Sequence, residues 1–452
     1  MRNILLIGAG RSASTLIKYL LQNSQKEDWK IIVADISIEL AKQKINNHAN
    51  AHAIAIDINN DQQRTNAIQK VDLVISMLPA TMHLLVAKEC LKQKKNLVTA
   101  SYVSKQMHDF DAEAKKVGVI FLNEIGLDPG IDHLSAMKVI NDVKAKGGKI
   151  ITFKSYCGGL VAPESNDNPW GYKFTWSPRA VVMAGQSGDS TAATAQYLQN
   201  EKIKYVPYTR LFSNLETIRV NKWGRFEAYA NRDSLSYKKL YDLPDVQNMF
   251  RGTLRMPGFC KAWNAFVQLG LTDGNCKVSD SENTTYTELI DSFLPESKEK
   301  SVKKKVAKFL REKDNSPVMK KLDWLGVFKN QVIKLKNVSP AEILLNILMK
   351  KWNLKPQDKD MVVMQHLFEF KLPELKSKLQ RITSSLVVMG DDQINTAMSK
   401  TVGLPMGIST KLILNRKIKL TGVRIPIVKE IYNPVLNELE KFGIQFIEKH
   451  ES

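Results

Sequence analysis

Short, continuous runs of apolar residues alternate with helical patterns over the first 130 residues of the chain. The runs lie at Asn3–Ile7, Lys30–Ala34, Ala51–Ile56, Val71–Ser76, Asn96–Thr99 and Val119–Leu122. Runs of this length without polar alternation are typical of parallel strands that are buried on both faces. Because a helical pattern separates each run from the next, residues 1–130 are predicted to form a doubly wound parallel sheet, an α/β fold of the Rossmann type.

Beyond residue 132 this alternation stops. Lys149–Tyr156, Met361–Leu372 and Ser384–Met389 predict strands, whereas Asp391–Leu414 and Val428–Phe442 predict helices. Residues 158–275 are rich in aromatic residues, Gly and Pro, which favours short strands, and residues 280–358 are lysine-rich with a helical period. We therefore predict an α/β substrate domain at 131–279, a helical subdomain at 280–358, further strands of the substrate domain at 359–392, and a segment at 393–452 that returns to the Rossmann domain.

The net charge of +20 raises the question of a nucleic-acid or membrane partner. Most of the excess is lysine spread along the chain, and the densest run, from Lys298 to Lys313, has the pattern of a solvated helix face. No nucleic-acid recognition motif accompanies the charge, and no run of eighteen apolar residues occurs. We therefore expect neither partner for this chain.

The four cysteines, Cys90, Cys157, Cys260 and Cys276, have the spacing of neither a zinc site nor a disulfide framework. This pattern predicts no bound metal and is typical of proteins in a reducing compartment, so we expect a cytoplasmic location.

A dinucleotide fingerprint follows the first predicted strand and opens the first helix. Its residues are Gly8, Ala9, Gly10, Arg11, Ser12 and Ala13. Gly8 permits the tight turn out of the strand, Gly10 lets backbone amides approach a pyrophosphate, and Ala13 replaces the third glycine where helix and strand pack. The free amides and positive end of that helix then face the phosphates.

Asp35, at the end of the second strand, bears on the choice of cofactor. A carboxylate there accepts hydrogen bonds from a ribose 2′-hydroxyl and repels a 2′-phosphate, and Ile36 and Ser37 follow it instead of an arginine. The sequence therefore favours NAD over NADP, although Arg11 is compatible with NADP.

Ligands of open parallel sheets bind beyond the carboxyl ends of the strands. The cofactor-contacting residues expected at these ends, besides those of the fingerprint and Asp35, are Asp57, Ser76, Leu78, Ser101, Tyr102, Leu127, Asp128 and Pro129. Pro129 is expected at the first position of a helix, with Asp128 as its N-cap. Capping and catalysis are equally compatible with the position of Asp128 in the sequence.

Longer strings of residues resemble one enzyme family, the glutamate-forming saccharopine dehydrogenases. They are NEIGLDPGIDH from Asn123, SYCGGLVAPESNDNP from Ser155, KFTWSP from Lys173, ANRDS from Ala230, RGTLR from Arg251 and KTVGLP from Lys400. The resemblance implies a Rossmann domain, a mixed α/β substrate domain with a helical portion, and a homodimer. It also implies oxidation of saccharopine by NAD or NADP and water to glutamate and 2-aminoadipate semialdehyde, in lysine synthesis or degradation.

The resemblance also implies site residues. Those expected to contact the substrate are Ser101, Tyr102, Asp128, Arg232, Thr253, Leu254 and Arg255. Saccharopine carries three carboxylates, and the planar fork of arginine suits such groups. Hydride loss requires a neutral secondary amine, so a group must accept its proton. Asp128, Cys157 and Tyr102 are the candidates, and the sequence does not separate them. Glu124 and His133, which flank the motif, are expected to be structural.

Two other functions compete with this interpretation. Carboxynorspermidine and carboxyspermidine dehydrogenases are similar imine reductases, but their substrates have fewer carboxylates, and Arg232 with Arg255 favours saccharopine. A degenerate Rossmann scaffold that acts only through protein contacts is the non-enzymatic alternative, against which the intact Gly8, Gly10 and Asp35 argue.

Overall fold

The computed structural model describes residues 1–184, 194–375 and 378–451. Its internal contacts divide the chain into two units, one formed by residues 1–148 with 386–448 and the other by 149–385 with 449–452. In the described part of the chain, we find no helix with the length and apolar character needed to cross a membrane.

The first unit contains a parallel sheet of seven strands. The strands are β1 (Arg2–Ile7), β2 (Trp29–Asp35), β3 (Ala51–Ala55), β4 (Leu73–Ser76), β5 (Asn96–Thr99), β6 (Ile120–Leu122) and β15 (Gly422–Arg424). Their order is β15-β6-β5-β4-β1-β2-β3, with every neighbouring pair parallel. The predicted doubly wound α/β fold is thereby confirmed, and the six apolar runs match β1 to β6 closely. The short β15 was missed because three residues carry no periodicity.

Nine helices of this unit cover the sheet. They are α1 (Ser14–Ser24), α2 (Ile38–Ile45), α3 (Asp61–Gln69), α4 (His83–Lys92), α5 (Lys105–His108), α6 (Asp111–Val117), α7 (Ile131–Ala145), α15 (Ala397–Leu414) and α16 (Lys429–Leu439), counted among the described residues. Helix α7 packs against α16 and so belongs to the first unit, whereas the sequence placed it in the next domain.

The second unit is built on a mixed sheet of nine strands. They are β7 (Lys149–Val161), β8 (Thr194–Gln199), β9 (Lys202–Pro207), β10 (Leu215–Val220), β11 (Gly224–Ala230), β12 (Asn248–Arg255), β13 (Asp360–Lys371), β14 (Leu379–Met389) and β16 (Ile447–Glu451). The main path is β10-β11-β12-β7-β13-β14-β16, with β8 pairing β12 and β9. The last strand, β16, therefore joins this sheet, although the sequence assigned the whole C-terminal segment to the Rossmann domain.

Seven helices complete the described part of the second unit. They are α8 (Pro178–Val182), α9 (Ser236–Leu240), α10 (Phe259–Gln268), α11 (Tyr286–Ser292), α12 (Val302–Phe309), α13 (Pro317–Leu325) and α14 (Pro340–Lys351). An aromatic cluster forms the core under them, in which Trp170 stacks on Phe266 and Phe259 stacks on Trp263. Trp352 contacts Trp170 edge-on. Such pairs stabilise the core beyond the burial of their apolar area.

Candidate active site

The fingerprint loop leaves room for a ligand at Gly10. Gly8 has a φ of +103°, and its amide donates to the carbonyl of Ala34 at 2.8 Å. A Cβ atom added to Gly10 would meet no protein atom within 4 Å, so the protein itself does not require glycine there. Arg11 is exposed, Ser12 is half-buried and Ala13 is buried. No side chain caps the helical turns that begin after Gly10 and Ala13. The loop thus fits a dinucleotide pyrophosphate.

Asp35 binds the fingerprint loop through one carboxylate oxygen. Its Oδ2 accepts from the Ala9 amide at 2.7 Å, and its Oδ1 accepts from the Ser37 amide at 3.0 Å. The half-buried carboxylate is therefore fixed beside the loop.

Asp57 lies at the end of β3 and is exposed. Its Oδ1 accepts from the backbone amide of Asn59 at 2.9 Å, an Asx-type contact that shapes the following turn. Leu78 packs on the sheet core, and Leu127 and Pro129 are buried. The cofactor contacts expected of these residues stay predictions.

Ser76 and Ser101 are joined by a histidine that the sequence analysis did not single out. Ser76 Oγ lies 2.8 Å from Nδ1 of His83, and His83 Nε2 lies 2.7 Å from Oγ of Ser101. Oγ1 of Thr99 is 3.4 Å from the same Nε2. Burial lowers the pKa of His83 to about 4, so its ring is neutral near pH 7. A histidine on a mostly apolar helix carries no motif, and the spacing to Ser76 alone would not have identified it.

Asp128 does not cap the helix that follows it, which excludes one of the two roles that the sequence left open. Helix α7 begins at Ile131 with Gly130 as its N-cap, and no side chain caps it. The intervening turn is closed by backbone bonds from the Gly126 amide to the Pro129 carbonyl and from the Ile131 amide to the Gly126 carbonyl. Pro129 therefore does not occupy the first helical position either.

The carboxylate of Asp128 instead contacts a second predicted site residue. The hydroxyl of Tyr102 donates to Asp128 Oδ1 at 3.2 Å, and both side chains are half-buried. Two of the three acid–base candidates thus lie together in the first unit, at the carboxyl ends of β5 and β6.

Glu124 holds the loop that carries Ser101 and Tyr102. Its amide donates to the Ser101 carbonyl at 3.1 Å, and its Oε1 accepts from the Val103 amide at 2.9 Å. Its Oε2 lies 2.8 Å from Nε2 of His133, which is fully buried. These contacts agree with the structural role expected for Glu124 and His133.

Arg255, in the second unit, is buried among aromatic rings. Its guanidinium carbon lies 5.2 Å from the ring centroid of Tyr172, 5.5 Å from that of Tyr229 and 5.4 Å from that of Phe259. The guanidinium donates to the Leu254 carbonyl at 2.8 Å and to the Tyr229 hydroxyl at 3.2 Å. Its Nε has no hydrogen-bond partner among the described residues.

No carboxylate within the described residues pairs with Arg255. Glu227 faces it in the β11–β12 register, but the Glu227 carboxylate accepts from the amides of Gly258 and Cys260 instead. Burial disfavours the cation, yet nearby phenol and thiol groups outweigh this effect and raise the pKa of Arg255. The aromatic rings that surround Arg255 carry no sequence motif and were missed.

Arg232 and Thr253 lie near the phenol of Tyr229, which also contacts Arg255. Burial raises the pKa of Tyr229, while Arg255, a hydrogen bond from Thr253, and Arg232 all oppose that rise. Arg232 is exposed and has a φ of +53°. Leu254 is buried, and its Cβ packs closely on Gly158. Both predicted arginines therefore lie within electrostatic reach of one phenol.

Cys157 lies on β7, buried and in register with Thr253 of β12. None of the four cysteines, all of which lie in the described part of the chain, forms a disulfide. The described residues form no group of three or more His, Cys, Asp or Glu side chains that could hold a metal.

Comparison with known proteins adds two family models that together span most of the chain. The model described as "Saccharopine dehydrogenase NADP binding domain" matches residues 4–122, and that described as "Saccharopine dehydrogenase C-terminal domain" matches residues 126–444.

Curated relatives match over the whole chain. The chain is 34% identical to saccharopine dehydrogenase (NADP(+), L-glutamate-forming) of Schizosaccharomyces pombe, over 99% of both proteins. It is 32% identical to alpha-aminoadipic semialdehyde synthase of Arabidopsis thaliana, covering 99% of this chain but 45% of that protein. The chain thus spans nearly all of the fungal relative and about half of the plant one.

Two solved structures resemble the chain along its full length. Apo saccharopine dehydrogenase (L-Glu forming) of Saccharomyces cerevisiae superposes with a TM-score of 0.89 at 33% identity, covering all of both chains. Homospermidine synthase of Legionella pneumophila gives a TM-score of 0.57 at 10% identity, a likeness of fold alone.

Proposed function

The chain belongs to the saccharopine dehydrogenase family, and we propose that it interconverts saccharopine with L-glutamate and 2-aminoadipate 6-semialdehyde, using a nicotinamide cofactor and water, in lysine metabolism. The observation that carries this proposal is the buried guanidinium of Arg255, for which the described residues supply no carboxylate.

A buried cation without a counter-ion costs several kcal/mol in a protein interior. The aromatic faces around Arg255 offset part of this cost, because ring quadrupoles attract cations. A substrate carboxylate would offset the rest and would bind as a fork-to-fork pair, for which Nε is available because no described residue accepts from it. Saccharopine has three carboxylates, and Arg232 and Thr253 are proposed to contact the same substrate.

The proposed chemistry removes a hydride from the carbon beside the secondary amine, and the bound nicotinamide supplies the hydride acceptor. The amine must first lose its proton, because its lone pair forms the C=N bond. We propose that Asp128 accepts this proton, with Tyr102 holding the carboxylate through their 3.2 Å hydrogen bond. Water then adds to the iminium carbon, and the carbinolamine collapses to the amine of glutamate and the aldehyde. Cys157 is the alternative proton carrier, without a covalent role.

We propose NAD as the preferred cofactor of this chain, on the position of Asp35. The names of the relatives point to NADP instead, since the N-terminal family model and the fungal enzymes carry that cofactor in their descriptions. Electrostatics favour NAD. The Asp35 carboxylate is fixed beside the fingerprint loop, where it would repel a 2′-phosphate and accept from a 2′-hydroxyl.

We further propose a cytoplasmic location, from the cysteine pattern, and a homodimer, from the family resemblance. The names of the animal relatives include the word mitochondrial, so fractionation of cells is the test of location. Sedimentation of the purified protein tests the assembly. An activity like that of carboxynorspermidine dehydrogenase remains the alternative, because such enzymes have a similar fold and act on substrates with fewer carboxylates than saccharopine.

The deciding experiment is a steady-state assay of the purified protein with saccharopine and each cofactor, following the absorbance of reduced nicotinamide. Saccharopine should be oxidised, and Arg255→Met, which keeps the side-chain volume, should abolish most of the activity. Binding of cofactor without saccharopine oxidation, together with reduction of a carboxynorspermidine-type imine, would reject the proposal in favour of the alternative enzyme.

A further inference from the structure

One imidazole connects two adjacent strand ends of the parallel sheet. Ser76 is the last residue of β4, Ser101 lies two residues after β5, and His83 begins α4. The ring nitrogens of His83 lie 2.8 Å from Ser76 Oγ and 2.7 Å from Ser101 Oγ. Both serines are predicted ligand-contacting residues, but the histidine between them has no role in the function proposed above.

The position of this link in the sheet is informative. The strand order reverses between β1 and β4, because β2 and β3 extend to one side while β5 and β6 extend to the other. Ligands of open α/β sheets bind in the crevice at such a reversal. Ser76 ends the strand at this point, whereas the fingerprint loop and Asp35 belong to the other half of the sheet.

The His83 ring donates a hydrogen bond through one nitrogen and accepts one through the other. His83 is 4% exposed, and a neutral imidazole has one N–H donor and one acceptor nitrogen. When one serine hydroxyl donates to the ring, the other must accept from it. Thr99 Oγ1, 3.4 Å from Nε2, accepts from the Ser101 amide at 3.3 Å and so restrains the same loop. The two serine hydroxyls are therefore coupled through the ring.

We infer that His83 is a positioning residue that supports hydride transfer: of the Ser76 and Ser101 hydroxyls, one donates to its ring and the other accepts from it, so that only the accepting hydroxyl keeps its proton for a contact at this crevice. The inference rests on the proposed oxidoreductase function. Within the part of the chain that the structure describes, the hydrogen bonds of the His83 ring go to Ser76, Ser101 and Thr99 and not to the fingerprint loop or Asp35, so the affinity for the cofactor should depend little on His83. Turnover should depend on it strongly, because small misplacements of orienting groups cost large factors in rate.

The first test separates turnover from binding. In His83→Phe, kcat for saccharopine should fall by at least about tenfold, while the dissociation constant of the reduced cofactor, measured by its fluorescence, should change by less than about threefold. His83→Gln should regain part of the activity, because an amide also donates and accepts. Cys90→Ala, a fully buried change on the same helix, is the control and should keep kcat near normal.

A double-mutant cycle tests the route of the effect. If His83 acts through the serines, adding His83→Phe to a Ser76→Ala/Ser101→Ala variant should cause almost no further loss of kcat, whereas residues that act separately give additive losses. Additive losses, or loss of cofactor binding in His83→Gln with the melting temperature unchanged, would overturn the inference.

A measurement without substrate keeps the two proposals apart. The nitrogen NMR shifts of the His83 ring report its tautomer, and Ser101→Ala should change them in the cofactor-bound protein. Unchanged shifts would overturn the coupling even in an active enzyme. A protein that gives the expected shifts and binds the cofactor, but does not oxidise saccharopine, would refute the proposed function while supporting the coupling.

Discussion

The hydroxyl of Tyr102 donates to Oδ1 of Asp128 at 3.2 Å, so the carboxylate that precedes helix α7 is held by a side chain instead of capping that helix. The turn at residues 126–130 closes through its own backbone, which relieves Asp128 of a structural role at the helix end. A carboxylate that is held in place and half-buried is suited to proton transfer.

Replacing this carboxylate should slow turnover without loss of the fold. In Asp128→Asn, kcat for saccharopine oxidation should fall by at least about tenfold, the lower side of acid–base effects. The amide oxygen can still accept from Tyr102, so cofactor binding and melting temperature should stay near normal. Steady-state kinetics across pH should also show a flatter acidic limb of kcat.

Cys157→Ser is the companion variant, and its effect should be milder because a hydroxyl keeps a polar contact. A near-normal kcat and an unchanged acidic limb in Asp128→Asn would remove Asp128 from proton transfer.

Arg255 should contribute to substrate binding and little to stability. Arg255→Met should raise the KM for saccharopine by a factor that corresponds to about 2–5 kcal/mol, as expected when a buried charge loses its ligand. The substitution removes a buried cation that has no carboxylate partner among the described residues. The melting temperature of the free variant should therefore be unchanged or higher. Kinetics and thermal unfolding measured on the same preparation check both outcomes.

Unchanged kinetics in Arg255→Met and in Arg232→Ala would place the substrate carboxylates elsewhere. Lys149→Ala offers a control, since Lys149 and its partner Asp245 are both exposed and the change should alter neither quantity.

Two glycines of the first unit should respond oppositely to the same substitution. In Gly10→Ala, the added Cβ meets no protein atom within 4 Å, so the melting temperature of the variant should be unchanged. The dissociation constant of the cofactor should rise by at least about tenfold, because the Cβ occupies space next to the pyrophosphate. In Gly403→Ala, the new Cβ would lie 2.7 Å from the Leu16 amide nitrogen, so helices α1 and α15 must separate and the melting temperature should fall. Equal changes in melting temperature in the two variants would contradict the assignment of Gly10 to ligand binding and of Gly403 to helix packing.

Asp35 should set the cofactor preference. We expect NAD to be used with a higher kcat/KM than NADP, and Asp35→Ala should narrow that gap by weakening NAD. The variant also loses the acceptor of the Ala9 amide, so its melting temperature needs to be compared with that of the parent. A tenfold preference of the unaltered protein for NADP would refute this interpretation of Asp35.

The stability of the protein should depend on pH through His83. Burial lowers the pKa of His83 in the folded state to about 4, whereas the unfolded state titrates near its ordinary value of 6.5. Between these values the unfolded state binds more protons, so the free energy of unfolding should fall as the pH drops from about 6.5 to 4, by roughly 3 kcal/mol in total. His83→Gln should lose this component, which thermal unfolding across that range would measure.

Strand positions could be predicted because burial on both faces produces an apolar run that is visible in the sequence. The runs at Asn96–Thr99 and Lys30–Ala34 correspond closely to β5 and β2. Asp128 was harder to interpret, since a residue before proline and glycine resembles a helix cap until the backbone of the turn is known. His83 was missed because its partners come from two strand ends, and no sequence spacing records which strands are neighbours.

The motif that begins at Lys400 shows that a motif shared with a family can have a structural role instead of a role in the site. KTVGLP supported the family resemblance, yet its glycine serves packing. Gly403 allows α15 to approach α1 closely. Ser399, which directly precedes the motif, accepts through its Oγ from the Thr15 amide at 2.9 Å.

That bond between Thr15 and Ser399 has a consequence for how the protein is made. The two residues are 384 positions apart, so the partner of the dinucleotide-facing helix leaves the ribosome long after the helix itself. Domains of nascent chains generally fold in order from the N-terminus, but here the early segment must wait in an incomplete form for its late-made half. During translation, the apolar side of α1 that α15 later covers is therefore a natural surface for chaperones. A product that stops before α15 leaves this side of α1 uncovered and should be retained by chaperones or degraded.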